Sequence, residues 1–331
     1  MLAGRTVSFS ISATGIPPPT YQWQKNGINI LGVAIATYTI ASPLDSDAGN
    51  YTCLVTNNAG SVTSAAAILT VLQSARLANA SVRTPLANAQ SVIVGFVVSG
   101  GAKDVLVRAA GPALGQFGLA TAMADPRLEL YKDSTKVIEN DNWPAVLAST
   151  FASVGAFPFL ANSRDAALLQ NLSGGYSAVV SGTGPGVVLV ETYDAGSGNV
   201  ARLVNISARN RVGTGADILI AGFYIAGTGT KRVLIRAVGP TIGGVPFNVP
   251  GTLVDPKLEL YDASGVKIVE NDNWENSLVP TFASVGAFPL APGSKDAALI
   301  ATLSAGSSYS AQVKGADGGT GEALVEIYEL P

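Results

Sequence analysis

Histidine is absent from this 331-residue sequence, and cysteine occurs once, at Cys53. Without histidine the chain lacks the commonest general base and the commonest transition-metal ligand, and Ser-His-Asp or Cys-His catalysis is excluded. A single cysteine allows neither an intrachain disulfide nor a cysteine zinc cluster. Any catalysis would have to use carboxylates, tyrosines, lysines, arginines or hydroxyls.

Charge is also scarce. Only 13% of the residues are charged and the net charge is −3, with the 20 lysines and arginines spread thinly along the chain. Binding to a phosphate backbone needs a basic stripe, so nucleic acid is not expected as a partner. No apolar run reaches the ~18–20 residues of a membrane span, and MLAGRTVSFSIS lacks the pattern of a signal peptide. Residue 1 is expected to fall inside a strand pattern, which predicts that the chain is part of a longer protein.

Glycine and hydrophobic residues are abundant. The sequence has 37 glycines, 18 prolines and 47% hydrophobic residues, as expected for many short strands joined by tight turns. A domain usually takes about 100–200 residues, so the length allows two or three domains.

Residues 1–72 alternate apolar and polar positions in several short segments. TVSFSIS and TYQWQKNG are separated by three prolines, and DSDAGNYTCLVT leads through an Asn-Ala-Gly hairpin to a last strand near Val71. These features predict a small all-β domain. The Trp of TYQWQKNG and the D-x-A-G-x-Y-x-C pattern resemble an immunoglobulin-like domain of the intermediate type.

This resemblance assigns roles to three residues. Trp23 would be the core indole, and Tyr51 would be the corner tyrosine two residues before the cysteine. The family usually has a second cysteine where this chain has Ile11, so Cys53 is expected to pack as a free, buried thiol. The domain lacks the usual first strand, which also predicts that the parent protein continues upstream.

The remaining sequence contains two copies of one pattern, here called the first repeat (75–197) and the second repeat (201–331). ENDNWPAVLASTFASVGAF at 139–157 returns as ENDNWENSLVPTFASVGAF at 270–288, with fourteen of nineteen positions identical. Segments on both sides return in the same order, which predicts two domains joined by the linker AGSGN at 195–199. Alternation in VLVRA, LELY and VLVETY predicts about eight short strands per repeat and a β-sandwich, of jelly-roll kind.

LELYDASGVKIVENDNW, followed by L-x-A-G-x-x-Y-x-A-x-V, resembles the bacterial prepeptidase C-terminal domain and related jelly-roll modules of secreted proteins. The whole repeat is also similar to an uncharacterised repeat at the C-termini of large secreted bacterial proteins. The resemblance implies an accessory, non-catalytic module, of a kind that in some cases binds calcium in its loops.

The twice-occurring ENDNW is the sharpest candidate site. Carboxylate and amide oxygens are the ligands that Ca²⁺ prefers, with six to eight in its shell. The predicted ligands are Asn140, Asp141, Asn142 and Asp165 in the first repeat and Asn271, Asp272, Asn273 and Asp296 in the second. Asp125 and Asp255 are alternative second carboxylates. The spacing does not match an EF-hand.

Three other interpretations of ENDNW remain open. It would be only a turn anchored by its tryptophan, since Asn and Asp bond their own backbone. Trp143 and Trp274 would instead stack on sugar rings in a carbohydrate-binding module. Asp141 with Asp165 would form the carboxylate pair of a glycosidase, although two copies of an active site are unusual.

A repeated Arg–Glu pair is predicted to be structural. Arg108 and Arg236 sit mid-strand, as do Glu191 and Glu326, which predicts a cross-strand ion pair, with Glu129 as another partner for Arg108. Glycines in AAGPALG and AVGPTIGG lack the features of a phosphate loop and predict a turn.

Together these observations predict a non-catalytic, extracellular or surface-attached binding, adhesion or spacer region of a bacterial protein. Its partners would be a cell-surface or polysaccharide ligand, or further copies of itself through exposed strand edges.

Overall fold

The computed structural model describes residues 5–41, 43, 45–72 and 74–331. Its internal contacts define two compact units. Unit 1 consists of Met1–Ser74 with Ser197–Val200, and unit 2 consists of Ala75–Gly196 with Ala201–Pro331.

The described residues of unit 1 form seven short strands in two sheets. They are β1 (Val7–Ser10), β2 (Thr20–Lys25), β3 (Ile28–Asn29), β4 (Thr37–Ile40), β5 (Gly49–Asn57), β6 (Gly60–Thr63) and β7 (Ala67–Leu69). One sheet pairs β1 with β4, and the other has the order β3-β2-β5-β6 with β7 also beside β5. All these pairs are antiparallel.

The core of unit 1 confirms the roles predicted for its aromatic residues. Trp23 lies opposite Cys53 in the β2–β5 pair, and both are buried. The Tyr51 hydroxyl donates a hydrogen bond of 2.6 Å to the Asp47 carbonyl, four residues upstream, which is the corner arrangement. Phe9 stacks on Tyr51 at 4.5 Å between ring centroids. Cys53 is a free, buried thiol, and burial raises its pKa.

Unit 2 contains both repeats and is almost entirely β-structure. The first repeat forms β8 (Arg76–Leu86), β9 (Val92–Ala110), β10 (Pro126–Lys132), β11 (Thr135–Asn140), α1 (Ala148–Ser153), β12 (Ala166–Gly182) and β13 (Gly186–Asp194). The second forms β14 (Arg202–Val212), β15 (Leu219–Ala226), β16 (Thr230–Val238), α2 (Pro240–Gly243), β17 (Pro256–Asp262), β18 (Lys267–Asn271), α3 (Val279–Ser284), β19 (Ala297–Ser304), β20 (Ser307–Gly315) and β21 (Gly321–Glu329). The all-β fold class is therefore confirmed.

The first strand of each repeat pairs with both repeats. Strand β8 lies between β13 of its own repeat and β15 of the second repeat. Strand β14 lies between β21 of its own repeat and β9 of the first repeat. The exchange is reciprocal, so the two copies interlock through continuous antiparallel hydrogen bonding.

The predicted division into separate sandwiches at 75–197 and 201–331 is therefore not what the structure has. One core cluster contains apolar side chains of both repeats, including Leu77 and Phe96 from the first and Phe223 and Leu258 from the second. The sequence repeats are real, but each contributes a strand to the other's sheet. Because β8 and β14 carry nearly the same pattern, the sequence could not show which copy each would join.

Candidate functional site

The ENDNW segments lie where a short strand turns toward the edge of a neighbouring strand. Glu139 and Asn140 end β11, and the turn follows. The Asn140 Oδ1 accepts a hydrogen bond of 3.0 Å from the Ala167 amide, and its Nδ2 donates one of 2.9 Å to the Asn142 carbonyl. In its first half β12 pairs only with β9, so Ala167 is on an edge. Asn140 thus caps an edge strand and shapes the turn at once.

The second repeat has the same arrangement. The Asn271 Oδ1 accepts a hydrogen bond of 2.9 Å from the Ala298 amide on β19, and the Asn271 Nδ2 donates one of 2.9 Å to the Asn273 carbonyl. Strand β19 ends its sheet and pairs only with β16. The duplication of the motif therefore follows from the duplication of an edge that needs a cap.

The two tryptophans anchor these turns. The Trp143 amide donates a hydrogen bond of 2.7 Å to the Asp165 carbonyl, and its Nε1 donates one of 3.2 Å to the Ser163 Oγ. The half-buried ring lies 5.3 Å from the ring of Phe151 between centroids. Trp274 is also half-buried, and its Nε1 donates a hydrogen bond of 3.1 Å to the Ser294 Oγ. Packing against a phenylalanine leaves part of each indole for other contacts, so sugar stacking at these rings stays a prediction.

Asp165 is fully buried and holds the adjacent Gly-Pro turn. Its Oδ1 accepts hydrogen bonds of 2.7 Å from the Gly111 amide and 3.1 Å from the Ala113 amide, and its Oδ2 accepts one of 2.6 Å from the Ser163 Oγ. Hydrogen bonds to an ionised carboxylate are about twice as strong as neutral ones. The Asp165 carboxylate therefore ties its own loop to the Gly-Pro turn, and its backbone carbonyl accepts from the ENDNW turn.

Asp296 is the buried counterpart of Asp165. Its Oδ1 accepts a hydrogen bond of 2.8 Å from the Gly239 amide, and its Oδ2 accepts hydrogen bonds from the hydroxyls of Ser294 and Thr241. Both repeats thus satisfy a buried carboxylate with backbone and hydroxyl donors, as burial of a charge requires.

These contacts bear on the predicted calcium ligands. Asp141 and Asp272 are exposed at the turn, where each accepts a hydrogen bond from the next asparagine, Asn142 or Asn273. The buried Asp165 and Asp296 instead face N–H and O–H donors. Among residues 5–41, 43, 45–72 and 74–331, no group of three or more His, Cys, Asp or Glu side chains is placed to hold a metal. This geometry fits the turn better than an ion site, and calcium binding stays a prediction.

The alternative second carboxylates have ion-pair partners. The Asp125 Oδ2 lies 3.1 Å from the Arg164 Nη1, and Asp255 pairs with Lys295. In both pairs the basic side chain, Arg164 or Lys295, is exposed to solvent, so each ion pair contributes little to the free energy of unfolding.

The Arg108–Glu191 pair predicted from the strand pattern is present, but it is buried. The Arg108 Nε and Nη2 donate hydrogen bonds of 3.0 and 2.5 Å to the Glu191 Oε2, and the Tyr193 hydroxyl donates one of 2.6 Å to the Oε1. Arg108 Cζ also lies 4.5 Å from the ring centroid of Phe151 and 4.2 Å from that of Phe159. The guanidinium is therefore enclosed by a carboxylate and by aromatic faces, which attract cations.

The second repeat keeps this arrangement. Arg236 donates hydrogen bonds of 2.8 and 2.5 Å to the Glu326 Oε2, and the Tyr328 hydroxyl donates one of 2.8 Å to the Oε1. Burial and the adjacent glutamate raise the pKa of both Tyr193 and Tyr328. Since both glutamates are already engaged by arginine and tyrosine donors, neither is placed as a free catalytic acid.

Sequence reasoning missed the aromatic enclosure of the arginines. The available signal was the repetition of Phe151 and Phe157 as Phe282 and Phe288, at matched positions of TFASVGAF. The guanidinium comes to lie between aromatic rings only because α1 and the loop after it pack on β9. This is a contact between segments distant in sequence, so the sequence pattern did not show it.

Comparisons with known proteins point to the immunoglobulin fold for part of the chain. The family model described as "Immunoglobulin domain" matches residues 1–57. Fibroblast growth factor receptor 1 of Pleurodeles waltl is 43% identical over 70 residues, which cover 18% of this chain and 9% of that protein. The chain thus spans less than a tenth of this relative.

Solved structures of immunoglobulin-domain proteins also align with the chain. The I-band fragment I67-I69 from titin aligns at 12% identity, covering 96% of this chain and 84% of that chain, with a TM-score of 0.21. Sidekick-1 immunoglobulin domains 1-4 align at 11% identity, covering 98% and 69%, with a TM-score of 0.22. These TM-scores are too low to indicate a shared arrangement of domains.

The helices in the described ranges are short, the longest having six residues. No helix in the described part of the chain has both the length and the apolar character needed to cross a membrane.

Proposed function

We propose that this chain is a non-catalytic binding region of an extracellular or surface-attached bacterial protein. The observation that supports this most is that the buried carboxylates, which are the candidates for catalysis, are already hydrogen-bonded within the chain. Asp165 and Asp296 are saturated by backbone and hydroxyl donors, and Glu191 and Glu326 by arginine and tyrosine. A glycosidase needs two carboxylates that reach substrate across a cleft, and these do not. The immunoglobulin-domain match over residues 1–57 also favours a binding module.

The ligand would be a cell-surface polymer or another copy of the chain. Self-association through strand edges is weakened at two points, because Asn140 and Asn271 already cap the edges of β12 and β19. A polymer ligand is therefore the favoured partner. The resemblance of the repeats to bacterial prepeptidase C-terminal domains agrees with an accessory role beside a separate catalytic domain.

The test is a binding and turnover assay on the whole chain. The chain is immobilised and exposed to neutral and acidic polysaccharides, and the same polysaccharides are assayed for new reducing ends. We expect retention of at least one polymer without hydrolysis. Turnover that disappears in Asp141→Asn would identify an enzyme instead. Absence of binding, together with a monomer at high concentration by light scattering, would reject the binding proposal.

A further inference from the structure

An open groove runs along one face of β14 in unit 2. Three adjoining cavities of about 200, 440 and 480 Å³ share lining residues. Arg209, Phe247 and Val249 line the first two, and Gln90, Asn210 and Arg211 line the second and third. We call these three adjoining cavities together the β14 groove. It lies on strands of both repeats, so it exists only because the repeats interlock.

The floor of the groove offers no free strand edge. Strand β14 is hydrogen-bonded to β21 on one side and to β9 on the other. The part of β9 that pairs with β14 is also paired with β12. An extended peptide therefore cannot add a strand to this floor, and side chains must do the recognition.

Two arginines point from alternate positions of β14 into the groove. Arg209 is half-buried, and its cross-strand neighbours are Leu324 on β21 and Ile93 on β9, both apolar. Among the described residues no carboxylate forms an ion pair with Arg209. Arg211 donates a hydrogen bond of 3.3 Å to the Thr320 hydroxyl.

Most other arginines of unit 2 are in ion pairs with carboxylates: Arg76, Arg108, Arg127, Arg164, Arg202 and Arg236. Arg209 thus combines partial burial with an unneutralised guanidinium, which favours an anionic ligand.

The opposite wall supplies an apolar ring face and amides. Phe247 is 43% exposed, although its ring is held by Phe288 at 4.7 Å between centroids. The exposed side chains of Gln90 and Asn248 line the same cavity. The groove thus offers three kinds of group. A flat apolar ring can pack on a sugar, amide groups can exchange hydrogen bonds with hydroxyls, and a guanidinium can bind a carboxylate. One class of ligand carries all three partners.

We propose that the β14 groove binds a carboxylate-bearing saccharide chain. The Arg209 guanidinium binds the uronate carboxylate, with Arg211 adding positive potential beside it. Phe247 packs against the apolar face of a sugar ring, and the amides of Gln90 and Asn248 contact its hydroxyls. Two carboxylates line the groove: Glu322, which lies opposite Arg211 in the strand register, and the exposed Asp217 in the third cavity. This site rests on the proposed binding function and is distinct from the ENDNW tryptophans.

The first repeat offers a matched control. Arg83 occupies on β8 the place of Arg209 on β14, between Leu189 of β13 and Ile220 of β15. Arg83 is exposed and lines none of the three cavities. The variant Arg83→Ala therefore removes the same charge from an equivalent strand position without touching the groove.

The experiment titrates the whole chain with tetragalacturonate and with a hyaluronan tetrasaccharide by calorimetry. Cellotetraose is the neutral control, and inorganic sulfate reports binding of a bare anion. We expect at least one uronate oligomer to bind, with a tenfold or greater loss of affinity in Arg209→Ala and in Phe247→Ala. Arg83→Ala should bind like the unaltered chain, and affinity should fall with added salt.

Different failures have different meanings. No binding of either uronate oligomer at millimolar concentration overturns the saccharide site, as does equal affinity of the Arg209→Ala and Arg83→Ala variants. Stronger binding of sulfate than of either oligomer also overturns it, because the groove would then be a small-anion site. The proposed binding function survives these results if the immobilised chain still retains another polymer.

Discussion

Ser207 on β14 lies directly opposite Gly95 on β9, where the second repeat inserts its first strand into the first repeat. A Cβ on Gly95 would stand 2.6 Å from the Ser207 Oγ, and the equivalent pair across β8–β15 leaves 2.8 Å between a Cβ on Gly222 and the Ser81 Oγ. At both crossings a glycine faces a serine, and a side chain at the glycine position would displace the serine hydroxyl.

Gly95→Ala should destabilise the protein, because the new methyl group overpacks this crossing. Overpacking costs about 1–3 kcal/mol of unfolding free energy. Gly175→Ala is the control, since the nearest heavy atom to a Cβ there is 4.0 Å away. Adding Ser207→Ala to Gly95→Ala removes the Oγ that the new methyl group meets, and it should restore most of the loss in a urea titration. Equal stability of the Gly95 and Gly175 variants would show that the crossing is looser than described.

Cutting the connection between the repeats should not separate them. A protease site inserted into the segment 195–199 would be cleaved, while β8 and β14 still hydrogen-bond to both repeats. We expect the two fragments to co-elute in size-exclusion chromatography until denaturant is added. If they elute separately in native buffer, the repeats are independent domains as their sequences alone suggested.

Replacing Arg108 should lower the free energy of unfolding far more than replacing a surface arginine does. In Arg108→Met the Glu191 carboxylate loses both guanidinium hydrogen bonds inside the core, and breaking a buried pair costs about 3–5 kcal/mol. Arg164→Ala breaks only a partly exposed pair and should cost less than about 1 kcal/mol. Thermal unfolding of the two variants checks this contrast. Similar midpoints would mean that Arg108 is solvated.

Asp165 should matter to stability more than Asp141, whatever the calcium concentration. Asp165→Asn removes the charge that strengthens three hydrogen bonds, and such a loss costs about 1–3 kcal/mol. Asp141→Asn changes an exposed turn and should be nearly neutral. Because the Asp165 oxygens already face donors, we expect the unfolding midpoint to be the same in millimolar calcium and in excess chelator. A midpoint raised by calcium and lost in Asp141→Asn would establish the metal site instead.

Alkaline pH should destabilise unit 2. Burial beside glutamates raises the pKa of Tyr193 and Tyr328 above the ordinary value near 10. Above pH 10 the unfolded chain therefore loses protons that the folded chain keeps, so the free energy of unfolding falls as the pH rises. In the double variant Tyr193→Phe, Tyr328→Phe the free energy of unfolding should fall less steeply between pH 9 and 11. Circular dichroism measures the unfolding, and tyrosinate absorbance measures the ionisation of the tyrosines. An unchanged slope would mean that these hydroxyls titrate freely in the folded state.

The sequence by itself determined the local structure. Period-2 alternation assigned the strands, since successive side chains of a strand point to opposite faces. It also placed Arg108 and Glu191 at mid-strand positions that allow a cross-strand pair, with Glu129 left as another partner for Arg108. The motif around Tyr51 identified the core of unit 1. These features depend on residues close in sequence or on a pattern shared with a known fold, so no distant contact was needed to predict them.

Only the tertiary structure decided how the two repeats combine. Strands β8 and β14 have the same alternation of apolar and polar side chains. Whether each pairs with a strand of its own repeat or of the other repeat therefore depends on the packing of the whole unit. The same contacts buried Arg108 among phenylalanines and gave Asp165 its donors. They also placed Arg209 in a groove while leaving Arg83, its counterpart in sequence, exposed. Identical local patterns acquired different environments because burial is set by the whole sheet.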